Sequence, residues 1–252
     1  LTWVSAPGSG LAEYSLVGYV DDQQTELYTS DTGRFVPVAP WMKENESPEH
    51  WESETQLCKR DEACFRYEVQ LVMKRFNHTG GFHFLQVVTG CILNDDGSTE
   101  RYKQYRYDGR EYMSFDIETG TFIPAMAEAQ IITQRWNDPD EGHTESIKHY
   151  LDNLCIDRLK RYIEFGRQDL ERRVRPGVKV SGQKSGEVTK LHCQVYGFHP
   201  RAVDVKWMKN GIDQVPSYET THVLPNPDGT YQIRVAVEVI PQEGDTYSCY
   251  VD

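Results

Sequence analysis

No stretch of 18 or more apolar residues occurs in this chain of 252, so no segment has the makings of a membrane-spanning helix. Basic residues are also in short supply. Lys and Arg number 27 against 39 Asp and Glu, a formal net charge of -12. That balance argues against nucleic acid or an anionic membrane surface as a main partner, because both reward a basic patch. Cys-x-x-Cys is missing, and His192-Cys193 with His199 has the wrong spacing for zinc, so no metal site is expected. Gly-x-Ser-x-Gly, a phosphate-binding loop and His-Glu-x-x-His are missing as well, and histidines and carboxylates are scattered. No cofactor and no enzymatic activity are therefore expected. The chain opens on Leu1-Thr2-Trp3 without a secretory leader, as a piece of a longer protein would.

What is present points outside the cytosol. The length suits two domains, or one larger domain and a module of about 100 residues. Six cysteines stand far apart, at 58, 64, 91, 155, 193 and 249. Such spacing without a metal pattern fits disulfides in an oxidising compartment. Asn77-His78-Thr79 is an N-glycosylation sequon at the end of a helical stretch; Asn45-Glu46-Ser47 is discounted because Pro48 follows.

From about Val174 the hydrophobic pattern has period two. Leu191, Cys193 and Val195 alternate with polar residues, as do Val203, Val205 and Trp207, then Tyr231 to Val239, then Tyr247, Cys249 and Val251. Lys209-Asn210-Gly211 and Pro225-Asn226-Pro227-Asp228-Gly229 read as turns between strands. Cys193 and Cys249 are 56 residues apart, with Trp207 between them and Tyr247 two residues before the second. That spacing is specific for an immunoglobulin-type β-sandwich, and a bond closing such a loop contributes about 4 kcal/mol.

The first two-thirds contains an internal repeat. Asp31-Thr32-Gly33-Arg34-Phe35-Val36-Pro37 returns as Glu118-Thr119-Gly120-Thr121-Phe122-Ile123-Pro124. Each copy ends a run of strand-like sequence and precedes a helical one. Strands are expected over 14–20, 26–28, 82–93, 101–107 and 111–115, with hairpin turns at Asp95-Asp96-Gly97 and Asp108-Gly109. Helices are expected near 48–76, 125–136 and 145–173. The first steps by threes and fours through Trp51, Thr55, Cys58, Glu62, Phe65, Val69, Val72 and Phe76. The last does so through Ile147, Tyr150, Leu151, Leu154, Leu159, Tyr162 and Ile163. Two copies of strands followed by helix imply an α+β fold, one antiparallel sheet with both helices on one face. A bond between Cys91, on a strand, and Cys155, on a helix, would tie the two layers together. Cys58 and Cys64 lie six apart on one helix, about 9 Å along its axis and too far to bridge; they read as free thiols packed as small apolar residues.

These residues carry a resemblance. Val17-Gly18-Tyr19-Val20-Asp21-Asp22, Ala39-Pro40-Trp41, Tyr107-Asp108-Gly109 and Gly197-Phe198-His199-Pro200 make nearly the whole chain similar to the heavy chain of major histocompatibility complex class I molecules. The resemblance implies an eight-stranded antiparallel sheet carrying two long helices with a groove between them, in two halves over 1–80 and 81–173, and a C-terminal immunoglobulin domain over 174–252. It implies disulfides Cys91–Cys155 and Cys193–Cys249, a glycan at Asn77, and beta-2-microglobulin as light chain. Also implied is a single-pass cell-surface protein with its transmembrane segment beyond Asp252.

The family's groove set carries over residue by residue. Near a peptide's amino end, Tyr150 and Tyr162 match, whereas His50 stands where tyrosine is usual and Arg158 where tryptophan is usual. At the carboxylate end Trp136 matches, Arg135 replaces lysine, Ile132 replaces threonine, and Arg75 stands where non-mammalian presenters often have arginine. Cys58, Asp61, Cys64, Phe65, Glu68, Leu71 and Tyr112 complete the expected lining, and Phe65 and Phe82 are bulky enough to narrow it. The segment Asp213-Gln214-Val215-Pro216-Ser217-Tyr218-Glu219 falls where the family contacts a T-cell co-receptor, and is less acidic than is usual there.

The departures at His50, Ile132 and Arg158, together with the two cysteines, favour a divergent class I-like molecule. It would show a ligand, or a ligand-restricted groove surface, to T cells or innate receptors. The alternatives are a conventional peptide presenter to cytotoxic T cells, and a transport receptor or stress ligand that does not use its groove. The groove occupant is thus a short peptide, another small ligand, or nothing.

Overall fold

The structure is a computed structural model describing residues 1–5, 8–216 and 219–252, without the side chain of Asp213. It divides into two compact units, Leu1–Gly166 and Arg167–Asp252. The divide falls inside a helix, ahead of the boundary at 173–174 read from the sequence.

Among the described residues, the first unit builds an eight-stranded antiparallel sheet in the order β4-β3-β2-β1-β5-β6-β7-β8. Its strands are β1 Thr2–Val4, β2 Tyr14–Val20, β3 Gln23–Thr29, β4 Arg34–Pro37, β5 Phe84–Leu93, β6 Thr99–Tyr107, β7 Arg110–Asp116 and β8 Thr121–Pro124. The sheet is two four-stranded meanders joined at their first strands, with Thr2 opposite Gln86 and Trp3 opposite Leu85.

The sequence repeat marks equivalent outer hairpins of the two halves. Gly33 and Gly120 turn the chain at φ 57° and 67°, which an L side chain adopts only with strain. The following Phe35 and Phe122 point to the helices and are buried, while Val36 and Ile123 face away and are exposed. Each phenylalanine amide donates to a side-chain oxygen of the helical layer, Phe35 to Thr55 Oγ1 within a helix at 3.0 Å and Phe122 to Oδ1 of Asn137, which ends one, at 2.7 Å. Asp108 and Gly109, both at positive φ, make the β6–β7 hairpin as their sequence requires.

In the first half, α1 (Pro40–Asn45) leads into α2 (Pro48–Arg75). Ser47 caps α2 by accepting from the His50 amide at 3.2 Å, with Pro48 in the first turn. The three-four spacing buries Thr55, Cys58, Phe65, Val69 and Val72 against the sheet, with Trp51 and Phe76 partly buried beside them. In the second half the helical layer is broken into α3 (Gln130–Trp136), α4 (His143–His149), a π turn over Tyr150–Leu154, and α5 (Cys155–Leu170). The sequence reading ran one helix through 145–173 with Leu154 on its apolar face; Leu154 is 51% exposed. Leu151 is buried as expected, but the π turn accommodates an extra residue and shifts the helical phase, so that Cys155 and Ile156 follow it into the core in place of Leu154. Cys155 opens α5 and is bonded to Cys91 on β5, fixing the displaced helix to the sheet. Farther along, Gly166 packs its bare Cα on Trp41, where an added Cβ would come within 2.7 Å of the indole.

The second unit is a β-sandwich. One sheet holds β9 (Gly177–Ser185), β10 (Val188–Phe198), β13 (Glu219–Thr220), β14 (Leu224–Pro225) and β15 (Tyr231–Val239); the other holds β11 (Val205–Lys209), β12 (Asp213–Val215) and β16 (Tyr247–Val251). Cys193 on β10 is bonded to Cys249 on β16 across the sheets, and Trp207 is fully buried with its Nε1 donating to Val235 O at 3.3 Å. The Tyr247 hydroxyl reaches the Asp245 carboxylate at 3.5 Å, not a backbone group. In the segment expected at a co-receptor contact, Ser217 and Tyr218 lie outside the described residues.

Candidate ligand groove

The groove lies above the sheet, with α2 on one side and α3, α4 and α5 on the other. Its two ends differ in character.

At the end formed by the start of α2 and by α5, the helices are bridged. Arg158 on α5 places Nη2 2.8 Å from Oε1 of Glu54 on α2, and Nη1 3.5 Å from Oε2. Two parallel contacts of this kind make a charge-assisted fork, the strongest geometry open to these side chains. Beneath it, Glu26 on β3 is 6% exposed and accepts from the Tyr162 hydroxyl at 3.1 Å. Desolvation raises the Glu26 pKa; Arg158 and the tyrosine hydrogen bond oppose that rise. Desolvation also acts to lower the Arg158 pKa, but Glu54, Tyr162, Tyr150 and Glu26 outweigh it and hold the guanidinium charged. His50 stands edge-on to Trp51 with Nδ1 3.8 Å from Glu46, and burial lowers its pKa despite the neighbouring carboxylates. Glu46 is paired with Arg161 at 2.7 Å. Tyr150 begins the π turn, half-buried, its pKa raised by desolvation.

In the middle of the floor, Lys103 on β6 projects to the helix side, its ammonium 5.5 Å from the Tyr105 ring centre. Desolvation lowers its pKa, with Glu68 and Asp61 of α2 acting the other way. Desolvation raises the pKa of both acids, that of Glu68 to about 7.

Toward α3 the groove opens into a cleft of about 400 Å³ lined by Ala63, Cys64, Tyr67, Glu68 and Leu71 of α2 and Ile132, Arg135 and Trp136 of α3. That volume is in the range that takes a small molecule or a few residues of peptide. Trp136 is buried on Tyr105, Phe122 and His143, with ring centres 5.5, 5.1 and 4.4 Å away. Arg135 reaches Glu141 at 3.4 Å while half its side chain stays exposed. Arg75 is exposed at the last position of α2.

The residues expected in the groove from sequence thus separate. Cys64, Glu68, Leu71, Ile132, Arg135 and Trp136 meet around the cleft, with Asp61 and Arg75 on the same helix as its α2 wall. His50, Tyr150, Arg158 and Tyr162 gather at the bridged end. Cys58, Phe65 and Tyr112 belong to the packed layer beneath: each is buried in the core, with Phe65 against Tyr14 and the Tyr112 hydroxyl donating to Glu128 O at 3.3 Å. Phe82, expected to narrow the groove, is 53% exposed, its ring beside Phe84.

Glu26, Glu54, Lys103 and His143 were not in the expected set. The period-two pattern held a signal for two of them. Glu26 shares the inward register of Tyr28, and Lys103 that of Tyr105 and Tyr107. A charged residue on the buried face of a strand marks a site.

Beyond the groove, His78 and His83 stack at 3.8 Å and 11° at the end of α2, with His83 Nδ1 2.8 Å from Asp108 and His78 Nδ1 2.8 Å from the Tyr107 hydroxyl. His78, His83 and Asp108 each offer a ligand atom within 4.8 Å of the others, and in this arrangement the two Nδ1 atoms are engaged by the Tyr107 hydroxyl and the Asp108 carboxylate. Asn77, just ahead of it, is exposed at φ 55°.

Comparison with known proteins matches residues 1–170 to the class I histocompatibility antigen family, domains alpha 1 and 2, and residues 174–252 to the immunoglobulin C1-set domain. Over 250 residues the chain is 37% identical to the major histocompatibility complex class I-related protein 1 of Bos taurus, covering 99% of this chain and 74% of that protein. It is 35% identical to the class I histocompatibility antigen F10 alpha chain of Gallus gallus, covering 100% and 72%. It is 36% identical to the H-2 class I histocompatibility antigen K-D alpha chain of Mus musculus, covering 100% and 69%.

Proposed function

The chain belongs to the class I histocompatibility antigen family, and from that premise we propose that it displays a compact ligand, or a ligand-restricted groove surface, to T cells or innate receptors at the cell surface, in complex with beta-2-microglobulin. Family membership makes it a class I or class I-related molecule and not an enzyme. Among the described residues no helix is long and apolar enough to cross a membrane.

One observation carries the reading. The Glu54–Arg158 fork spans the helices at one end, leaving the open cleft at the other. Those sites lie nine to seventeen residues apart on α2, roughly 14–26 Å at helical rise. A ligand held by the cleft alone is shorter than the groove.

Two further features support the partner and surface assignments. The sheet face turned from the helices exposes Tyr19, Val88, Ile92 and Tyr102, an apolar set suited to a light chain. Asn77 is exposed and so open to glycosylation.

Conventional peptide presentation has its own support. Arg135 beside Trp136, with Arg75 near the end of α2, offers two cations for a peptide carboxylate. Refolding the chain with beta-2-microglobulin, with and without a degenerate nonapeptide mixture, separates the readings. Stable heterodimer without peptide is the expected result. Assembly that strictly requires peptide, with fixed-length peptides released by acid, would establish conventional presentation instead.

A further inference from the structure

The bridged end of the groove gathers acidic and hydroxyl groups around one cation. Glu54 and Glu26 turn carboxylates toward it, and the hydroxyl of Tyr162 lies on the second of these. Tyr150 and His50 border it, the histidine kept toward its neutral form by burial. Its cation comes from the chain itself.

We propose that Arg158 is a built-in occupant of this site: its guanidinium takes the place that a ligand's amino-terminal charge would fill, and the groove therefore selects ligands that bring no cation to this end. This deepens the display function proposed above and rests on it for the purpose of the groove.

The physical case has three steps. First, removing Arg158 would leave two acids close enough to repel each other, one of them nearly inaccessible, with the Tyr162 hydroxyl but no cation to offset them. The guanidinium is thus required by the pocket and is not an ornament on its rim. Second, an incoming ammonium must break a two-pronged ion pair with distances of 2.8 and 3.5 Å and then sit against the displaced positive charge. Third, the tethered group has no translational entropy to lose, so it outcompetes a free amine of similar intrinsic affinity. Arg161 does not share the role, since it is committed to Glu46 on the outer side.

The test is chemical rescue of the full 252-residue chain. Arg158→Ala, and the bulkier neutral Arg158→Gln in case the first folds poorly, are refolded and melted with millimolar methylguanidinium chloride, with sodium chloride at equal ionic strength as control. Refolding yield and thermal midpoint are both read. Both variants are expected to lose yield and midpoint and to regain a large part of each with methylguanidinium alone; wild type is expected not to respond. In a second arm, one degenerate nonapeptide mixture is supplied with free or acetylated amino termini. Wild type should treat the two alike, and the variants should be stabilised more by the free amine. Absence of methylguanidinium rescue in both variants overturns the proposal. So does a wild type that prefers the free amine. Peptides that stabilise no protein in either form would count against peptide display, while the methylguanidinium arm still decides the role of Arg158.

Discussion

The Tyr162 hydroxyl donates to Glu26 at 3.1 Å, joining α5 to β3 through residues 136 positions apart. A tyrosine that the family resemblance assigned to a ligand's amino end thus has its hydroxyl committed to the protein's own carboxylate. The same holds for Arg158 above it. This end of the groove is a polar core, closed on itself.

Loss of that hydrogen bond should be felt through Glu26. The buried carboxyl has a raised pKa, so the native state holds its proton more tightly than the unfolded chain does, and stability falls as pH rises from the ordinary carboxylate value through the native one. The tyrosine opposes this by favouring the ionised form. Tyr162→Phe is therefore expected to cost about 1–3 kcal/mol at neutral pH and less in acid, where Glu26 is protonated. Glu26→Gln should flatten the pH dependence. Denaturant melts at several pH values check both; an equal cost at every pH would show that the bond does not act on the ionised acid.

Glu68 gives the cleft its own pH dependence. Desolvation raises its pKa to about 7, against the pull of Lys103 and Arg135 and with Asp61 adding to the rise. Between the ordinary glutamate value and about 7 the native state is the better proton binder, so this group's contribution to stability declines as pH rises through that window. The cleft also gains a negative charge beside Arg135 over the same range. A carboxylate-bearing probe should accordingly bind more tightly below about pH 7 than above it, and Glu68→Gln should remove the step. Isothermal titration with one such probe across pH measures this; a flat wild-type profile would contradict it.

The two unpaired cysteines should behave differently although they share a helix. Cys64 is exposed on the cleft wall, whereas Cys58 is buried with its pKa pushed up to about 12, chiefly by desolvation. Iodoacetamide is expected to label Cys64 in the native protein and Cys58 only after unfolding. Peptide mass mapping reads both sites, and a 58–64 bridge would leave neither labelled.

The contrast between these thiols shows what the sequence could and could not supply. Helical spacing places Cys58 in register with Thr55, Phe65 and Val69, and that stripe is buried as expected. Cys64 lies on the neighbouring stripe with Ala63, Tyr67, Glu68 and Leu71, whose role depends on α3 standing opposite. The repeat around Phe35 and Phe122 fixed the doubled meander, because each copy holds a turn glycine and an inward aromatic. The π turn left no comparable mark, and it alone moved Leu154 outward. Pairings such as Glu54 with Arg158 join residues 104 apart, so they depend on tertiary contact that no local pattern encodes.

The immunoglobulin unit is expected to be self-sufficient over 174–252, the domain limits proposed from the sequence. Val174 anchors its start, donating to His199 O at 2.9 Å and accepting from the His199 amide at 3.2 Å. Trp207 is the sole tryptophan in that stretch and is fully buried beside the Cys193–Cys249 bond. Its fluorescence therefore reports this core alone. The segment should unfold in one cooperative step with a red shift of Trp207 emission. At 79 residues (174 through 252) it is near the size at which a hydrophobic core by itself is marginal. The disulfide closes a 56-residue separation, which the chain-entropy model values at about 4 kcal/mol. Replacing both cysteines by serine should consume most of the stability and leave the fragment largely unfolded at 37 °C. A fragment with no cooperative transition while the disulfide is intact would mean that this unit depends on the rest of the chain, and the boundary would have to move toward Arg167, where the compact unit begins.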